Sequence, residues 1–275
     1  MSAVGPIDAR RMRQALAGHA LGSAIEHHEE IGSTNDRVRE LIEAGHGHGT
    51  VVLAERQTAG RGRRGAAWCG TPGHDLLISV LLRPPPAAMP TRITLLAALA
   101  LTEAVRGQTG LAARIKWPND LWLEGRKLAG VLSESCAGAV VLGIGCNVNS
   151  AAADRPAGVA GLAVSLREAD PETDRWWDRT ALAVALLRRL QHWWPAVAST
   201  DTGETGHWTL ARQHLSALAL FQPGDWIEAT LNEEQLAAQV EGLGDEGQLC
   251  VRDPAGRRRE LYQVERIRPV KGAGW

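Results

Sequence analysis

The segment best suited to chemistry is residues 57–65, Gln-Thr-Ala-Gly-Arg-Gly-Arg-Arg-Gly, with Trp68 shortly after it. Glycines let a backbone approach a ligand closely, and each guanidinium is a planar fork of donors that stays charged. Such a segment can hold an anionic group against main-chain N–H donors. A solvated surface loop has the same composition, so this segment alone leaves both interpretations open.

Residues 60–65 also satisfy the pattern G-x-G-x-x-G. In dinucleotide-binding proteins that pattern opens a helix after a strand. Here the residues at 66–73 contain glycine and proline and predict a loop, and position 83, where an acidic residue is expected, is Arg83. The pattern G-x-x-x-x-G-K-[ST] does not occur in the sequence. Neither of these two nucleotide-binding motifs is therefore expected, and any nucleotide must be bound by a different motif.

Three shorter segments lie at predicted ends of helices or strands. Residues 33–36 (Ser-Thr-Asn-Asp) predict a helix start with a hydroxyl cap, and their polar groups would also be available to a ligand. Residues 116–122 place a lysine at a strand end before a Pro-Asn-Asp turn, and an Arg-Lys pair follows at 126–127. Two glycines at 143–145 end an apolar strand, which permits close approach of a flat ligand or marks a bulge.

The composition limits the protein class. The chain has 275 residues, 44% of them hydrophobic, which is enough for one large domain or one large and one small domain. A net charge of -1 argues against general nucleic-acid binding, because phosphate-driven affinity needs a basic face. The four cysteines form no C-x-x-C pair, so no zinc or disulfide framework is expected. Without a leader pattern or an apolar run of spanning length, we expect a cytoplasmic protein that makes no membrane contact.

Hydrophobic periodicity predicts the elements that must position these segments. Helices are expected at 7–17, from 33, at 91–107, at 174–194 and at 205–220. Strands are expected at 25–31, 50–55, 75–82, 112–116, 121–123, 127–134 and 139–144, with a loop at 150–162. Further short strands at 225–230, 235–241, 248–252 and 260–266 are typical of a small barrel. The predicted layout is an α+β domain to about residue 220 and then a small β module.

The segments at 33–35, 57–68, 116–120, 126–132 and 143–149 occur in the order seen in biotin–protein ligases, and the chain resembles that family. The resemblance is strong over about residues 25–150 and loose in the C-terminal module. It implies a class II synthetase-like catalytic domain over 1–220, with a mixed β-sheet flanked by helices, and an SH3-like β-barrel over 221–275. Some members add an N-terminal helix-turn-helix domain, for which the stretch before Ser33 is too short. A monofunctional ligase is therefore expected.

The resemblance implies a two-step reaction. The carboxylate of biotin attacks the α-phosphate of ATP, with Mg²⁺ as the metal, and gives biotinyl-5′-AMP and pyrophosphate. A lysine amine of a biotin carboxyl carrier protein, such as a subunit of acetyl-CoA carboxylase, then takes the biotinyl group and releases AMP. Two unit charges ~4 Å apart repel by about 4 kcal/mol at an effective dielectric constant near 20. Arg61, Arg63 and Lys127 are expected to offset that cost, with Arg64 facing away.

The family's motifs imply a set of binding residues in this sequence. Polar groups and strand glycines are expected around biotin, a lysine between its carboxylate and the α-phosphate, and a tryptophan near adenine or an ordering lid. The residues expected around biotin are Ser33, Thr34, Asn35, Gln57, Gly143 and Gly145. The remaining expected binding residues are Gly60, Arg61, Gly62, Arg63, Trp68, Lys116, Asn119, Asp120 and Lys127. Asp120 is also expected to help hold Mg²⁺ through oxygen.

Other functions remain open at this point. A lipoate–protein ligase shares the fold and the adenylate chemistry, although the segments at 57–68 and 116–120 are of the biotin type. A non-catalytic biotin-binding protein is a second alternative. Because the reaction needs no covalent enzyme intermediate, no Ser/His/Asp or Cys/His set is expected. The chain is expected to be a monomer or a homodimer and to bind no nucleic acid.

Overall fold

The structure is a computed structural model and describes residues 5–170, 172, 175–200, 203, 205–231 and 233–270. A seven-stranded mixed sheet forms the centre of the larger part. Its strands are β1 (Ala24–Ile31), β2 (Thr50–Gln57), β3 (Leu76–Leu82), β4 (Arg114–Lys116), β5 (Asp120–Leu123), β6 (Arg126–Cys136) and β7 (Ala139–Cys146). Their order is β1-β2-β3-β7-β6-β5-β4. The β1–β2 pair is parallel and the other pairs are antiparallel.

Helices cover both faces of this sheet. They are α1 (Ala9–Ala15), α2 (Thr34–Glu43), α3 (Pro90–Thr109), α4 (Ala157–Ala160), α5 (Arg179–Trp193) and α6 (His207–Leu218). Within the part of the chain that the structure describes, none of these helices combines the length and apolarity needed to cross a membrane. The predicted α+β architecture, a mixed sheet flanked by helices, is confirmed.

Side chains of the central strands pack into two separate hydrophobic cores, because successive side chains point to opposite faces of the sheet. Leu53 and Ile78 belong to the larger core, which includes residues of α3 and α5. Val52 and Leu81 pack in a smaller core with α2. Ser79 shares the face of Leu81 by alternation, and it lies close to the first residues of α2. This face, at the N-terminus of α2, positions the functional site.

A second, antiparallel sheet follows in the C-terminal part. Its strands are β8 (Trp226–Leu231), β9 (Glu234–Leu243), β10 (Leu249–Arg252), β11 (Arg258–Leu261) and β12 (Arg266–Pro269), in the order β11-β10-β9-β8-β12. Polar contacts join it to the larger part. Trp117 Nε1 donates to the Gly247 carbonyl at 3.0 Å, and Arg92 Nη2 donates to the Asp245 carbonyl at 2.7 Å.

The structure corrects several predicted boundaries. The helix predicted at 174–194 begins only at Arg179, because Asp178 caps it by accepting from the Ala181 amide at 2.9 Å. Residue 174 of that prediction lies outside the described residues. The loop predicted at 150–162 contains helical turns at 152–154 and 157–160. The strand predicted at 260–266 is two strands, β11 and β12, separated by a turn.

Candidate active site

A cavity of about 230 Å³ lies where five segments meet. They are the start of α2, the end of β2, strands β6 and β7, and the loop at residues 58–68, which we call the Arg/Gly loop. All of the predicted binding residues except Gly60 and Lys116 line it. The predicted catalytic cations, Arg61, Arg63 and Lys127, therefore share one cavity. Residues that the sequence did not single out also line it, namely Ala66, Ala67, Gly130, Val131, Ile144, Val264 and Glu265.

The inner end of the cavity is a network of neutral side chains. The Thr34 amide and hydroxyl both lie within hydrogen-bond distance of Gln57 Oε1, at 2.8 and 3.0 Å. Ser79 Oγ lies 2.7 Å from Thr34 Oγ1 and 2.6 Å from Asn35 Oδ1. Thr34, Asn35 and Ser79 are buried, so these mutual bonds satisfy groups that water does not reach. We call Ser33, Thr34, Asn35, Gln57 and Ser79 the neutral end.

The predicted hydroxyl cap of α2 is wrong in one respect. Ser33 does occupy the N-cap position, with extended backbone, but its side chain makes no capping hydrogen bond. Asp36, the predicted carboxylate partner, instead accepts both Nη atoms of Arg61, at 2.7 and 2.5 Å. These hydrogen bonds lower the pKa of Asp36. A two-pronged charged donor outcompetes a backbone amide for the carboxylate, and the Ser33 side chain remains part of the cavity wall.

Gly143 and Gly145 are needed because other groups lie close to their backbone, as predicted. In the structure those groups are side chains of the protein itself. A Cβ on Gly143 would lie 2.2 Å from Asn35 Oδ1, and one on Gly145 would lie 2.2 Å from Trp68 Cε2. The flat group over Gly145 is thus the indole of Trp68. Gly60 does not line the cavity, yet a Cβ there would lie 2.6 Å from the Trp68 carbonyl. It allows the loop to fold back on itself.

The loop arginines each have an internal acceptor. Arg61 pairs with Asp36, as above. Arg63 Nη1 donates to Asn119 Oδ1 at 2.8 Å, and its Nη2 donates to the Val264 carbonyl at 3.4 Å. Burial lowers the pKa of Arg63, although the charge of Asp120 opposes that shift. Both hydrogen-bond acceptors of Arg63 are neutral, so no carboxylate bonded to it balances its positive charge.

The expected alternation of the arginines is wrong. Arg64 lines the same cavity as Arg61 and Arg63, and its Nη1 lies 3.6 Å from Glu265 Oε1. The reason is local backbone geometry: residues 63–65 form a short helical turn, and Arg64 has a positive φ of 57°. A strand-like alternation therefore does not hold there. No helix opens after this turn, which agrees with rejecting a dinucleotide-binding motif.

Lys127 stands between the loop and the Asn-Asp turn. Its Nζ lies 2.8 Å from Asp120 Oδ1 and 5.7 Å from the centre of the Trp68 ring. The turn itself is fixed to β6, because Asn119 Nδ2 donates to the Val131 carbonyl at 3.0 Å and the Val131 amide donates to the Asn119 carbonyl at 2.9 Å. We call Arg61, Arg63, Arg64, Asp120 and Lys127 the charged end.

Lys116 lies in a neighbouring cavity of about 630 Å³, which Trp68 and Lys127 also line. Its Nζ lies 3.8 Å from the centre of the Trp122 ring. Burial lowers the pKa of Lys116 to about 8, against an opposing effect of Asp120. The other wall carries exposed apolar side chains, Val159 and Leu162. The predicted site residues therefore occupy two adjoining cavities.

Two polar residues of the site were missed by sequence reasoning. Ser79 is a single hydroxyl in the otherwise apolar strand β3, and that exception was a usable signal. Glu134 accepts Asn35 Nδ2 at 2.7 Å and pairs with Arg39 Nη2 at 2.8 Å. Nothing in the sequence around Glu134 indicates this role, because the contact joins β6 to α2.

The described residues contain no group of three or more His, Cys, Asp or Glu side chains that could hold a metal ion. Two carboxylates line the first cavity, that of Asp120, with the Asn119 amide beside it, and that of Glu265, which lies against Arg64. A cavity with a neutral polar end and a cationic end suits a small acid whose neutral head is hydrogen-bonded and whose carboxylate meets a phosphate.

Comparison with known proteins agrees with this chemistry. A family model described as Biotin/lipoate A/B protein ligase family matches residues 29–150. A biotin–[acetyl-CoA-carboxylase] ligase of Paracoccus denitrificans is 34% identical over 213 residues, 75% of this chain and 85% of the relative. The bifunctional ligase/repressor BirA of Bacillus spizizenii is 34% identical over 174 residues, 61% of this chain and 54% of that protein. A solved structure of biotin protein ligase from Aquifex aeolicus with biotin and ATP has a TM-score of 0.77 at 26% identity, covering 90% of this chain and 100% of that chain.

The mixed sheet carries a cavity with one neutral polar end and one cationic end. With the relatives above, the chain belongs to the biotin/lipoate A/B protein ligase family. The resemblance inferred from the ordered motifs is thereby confirmed. The chain spans about half the length of the two Bacillus relatives that it matches.

Proposed function

We propose that this chain is an ATP-dependent biotin–protein ligase. It forms biotinyl-5′-AMP and transfers the biotinyl group to one lysine of a biotin carboxyl carrier protein, such as that of acetyl-CoA carboxylase. The observation that carries the proposal is the single cavity in which buried neutral side chains adjoin Arg61, Arg63 and Lys127. The relatives of this chain that are named as biotin ligases support it.

The neutral end is the site for the ring system of biotin. Thr34, Asn35 and Gln57 offer hydrogen-bonding groups that are already held in place by one another and by Ser79. A preorganised polar pocket loses little entropy on binding. The carboxylate of biotin then points to the charged end, where Lys127 lies. Lipoate has no comparable ring donors or acceptors, so the polarity of this end favours biotin.

In the first step the biotin carboxylate oxygen bonds to the α-phosphorus of ATP, and the bond to pyrophosphate breaks. Arg63 holds the phosphate, because an anion supplies the counter-charge that its neutral partners Asn119 and Val264 do not. Lys127 exchanges its contact with Asp120 for the two meeting anions. Arg61 contributes less, since Asp36 already neutralises it. These side chains act by position and charge, not by covalent bonding.

Magnesium fits this site as an ion carried mainly by the phosphates of ATP. Mg²⁺ commonly takes one or two protein carboxylates and completes its shell with phosphate and water. Asp120, with Asn119 beside it, would supply the protein oxygens. The bound ion would neutralise phosphate charge and lower the repulsion between the two reacting anions.

In the second step the carrier lysine amine attacks the carbonyl carbon of the mixed anhydride, and AMP leaves. The neighbouring cavity provides a path to the reacting group, since Trp68 and Lys127 line both spaces. The apolar side chains of Val159 and Leu162 on its outer wall suit contact with adenine or with the carrier.

We also propose the division into domains at about residue 220. The Leu220 amide donates to the Ile115 carbonyl at 2.7 Å, which is a link to the larger sheet. Just after it, the Gly224 amide donates to Val240 in the C-terminal sheet. Residues 1–220 are then the catalytic domain, and residues 221–275 form an SH3-like module that contributes Val264 and Glu265 to the cavity wall.

The test is Lys127→Ala with Arg126→Ala as a matched control, since Arg126 is the preceding residue and pairs only loosely with Glu124, at 3.4 Å. We expect Lys127→Ala to bind biotin nearly as well as the wild type but to lose adenylate formation, and Arg126→Ala to keep both. The measurements are biotin binding by calorimetry and pyrophosphate release with Mg·ATP. Transfer is followed as labelled biotin on a carrier protein.

Unchanged carrier labelling by Lys127→Ala would show that the assigned lysine role is wrong. Turnover of lipoate in place of biotin by the wild-type protein would replace the proposed function with that of a lipoate ligase. Biotin binding without pyrophosphate release would leave a non-catalytic binding protein.

A further inference from the structure

The amide of Asn35 has one fixed orientation. Its Nδ2 lies 2.7 Å from Glu134 Oε2, and its Oδ1 lies 2.6 Å from Ser79 Oγ and against the backbone of Gly143. An ionised carboxylate only accepts hydrogen bonds, so the atom facing Glu134 must be the amide nitrogen. The amide oxygen is therefore the atom that lies beside Ser79 and Gly143, and Gly143 is part of the cavity wall.

This orientation gives the neutral end an excess of acceptors. The hydroxyls of Ser33, Thr34 and Ser79 each bring one proton, the Thr34 amide proton already points at Gln57 Oε1, Gln57 Nε2 brings two protons on the side of Gly60, and Asn35 Nδ2 has one proton besides that shared with Glu134. Against these seven stand five oxygens, those of Ser33, Thr34, Asn35, Gln57 and Ser79, each with two lone pairs. Internal bonds cannot fill all of them. The inner wall therefore favours a ligand that presents N–H donors.

Glu134 can control this property without touching the ligand. It does not line the cavity; it is hydrogen-bonded to the cavity residue Asn35, and its charge also acts on Arg61. Its second oxygen is held by Arg39 Nη2 at 2.8 Å, one helical turn beyond Asn35. The two ends of an Asn side chain have almost the same shape, so without an acceptor-only neighbour the amide is free to turn over. A turned amide would place donors where the oxygen now stands.

We propose that Glu134 is a positioning residue for ligand selection. By holding the Asn35 oxygen towards the cavity, it makes the neutral end select small acids whose ring carries N–H groups, such as a cyclic urea, over acids whose ring carries none. The inference rests on the proposed function, because it takes the ureido ring of biotin as the group selected.

The test compares Glu134→Gln with Arg39→Gln. Glutamine has the size of glutamate but offers both a donor and an acceptor, so it no longer fixes the amide of Asn35. Arg39→Gln removes the same ion pair and leaves the carboxylate on Asn35, which makes it the matched control. The probes are biotin and biotin methylated on a ureido nitrogen. Binding to the full chain is measured by calorimetry, and KM for biotin and for ATP by pyrophosphate release.

We expect Glu134→Gln to weaken biotin binding by about fivefold to tenfold, the size of one hydrogen bond, with kcat and the KM for ATP little changed. The preference for biotin over its N-methyl analogue should shrink by a similar factor. Arg39→Gln should change biotin affinity by less than about twofold, because the pair is partly solvated, Arg39 does not contact Asn35, and the carboxylate that holds the amide stays in place. Glu134→Asp, with its carboxylate withdrawn by one methylene, should weaken biotin in the same direction and serves if the glutamine variant does not fold.

Equal effects of Glu134→Gln and Arg39→Gln would overturn the proposal, since the ion pair and not the amide orientation would then be responsible. An unchanged preference between biotin and its N-methyl analogue in Glu134→Gln would overturn it as well. Failure of the wild-type chain to bind biotin would instead refute the proposed function, so the two failures are distinguishable.

Discussion

The neutral and charged ends of the cavity are built in different ways. Thr34 and Asn35 are 3% and 5% exposed and are hydrogen-bonded to their neighbours, whereas the side chains of Arg61 and Lys127 are 37% and 35% exposed. Each cation is held by an acceptor that an incoming anion can replace. Buried polar groups must be satisfied before a ligand arrives, while partly solvated charges can exchange partners at low cost. The neutral end is therefore ordered before a ligand binds, whereas the charged end is expected to exchange internal partners for its ligand.

The largest expected effect distinguishes two arginines of the charged end, Arg61 and Arg63. Arg63→Ala should lower kcat for adenylate formation by about 10²–10³-fold, the usual loss of a group that stabilises developing charge. Arg61→Ala should cost less, because Asp36 already neutralises that guanidinium. Single-turnover pyrophosphate release measures both. Equal losses would mean that the internal partner of each arginine does not govern its role.

Two glycines, one at each end of the cavity, can be substituted separately. Gly143 lies under Asn35 at the neutral end, and Gly145 lies under Trp68 beside the charged end. Overpacking typically costs ~1–3 kcal/mol, which corresponds to about 5-fold to 150-fold in binding. Gly143→Ala should therefore raise the KM for biotin, and Gly145→Ala the KM for ATP. Steady-state kinetics with each substrate varied in turn tests this. If both variants raised the same KM, the cavity would not divide in this way.

The smallest expected effect concerns pH and the neighbouring cavity. The pKa of Lys116, lowered by burial to about 8, means that its charge is lost as pH rises from 7 to 9. We expect the KM for ATP to rise a few-fold over that range, because about one charge contact to phosphate is lost, and to rise less in Lys116→Arg, which stays charged. Kinetics at several pH values provide the measurement. A wild-type profile that matches the Arg variant would remove Lys116 from nucleotide binding.

The titration of Lys116 does not itself destabilise the fold as pH rises. The folded pKa of Lys116 lies below its ordinary value of 10.5, so the unfolded chain binds more protons between about pH 8 and 10.5. Stability from this group therefore rises with pH in that window. A thermal denaturation series beside the kinetics separates the two effects.

Much of the candidate site could be predicted because it depends on local chemistry. A short apolar run bounded by turn residues, such as Leu76–Leu82, predicts a buried strand, and glycines are required where another group touches the backbone, as at Gly143 and Gly145. Arginines between glycines are suited to anion binding, although by themselves they are equally typical of a surface loop. The order of these segments along the chain then indicated the family.

Only the tertiary structure decided which groups are paired. The bonds of Glu134 to Asn35, of Ser79 to Thr34, and of Arg63 to the Val264 carbonyl join segments that are distant in sequence. No local pattern encodes such contacts, because side-chain hydrogen bonds depend on distances that the packed sheet and helices set. The sequence predicted an anion site near a polar pocket, because residue types and spacing are local, and folding determined which of those side chains are paired with one another.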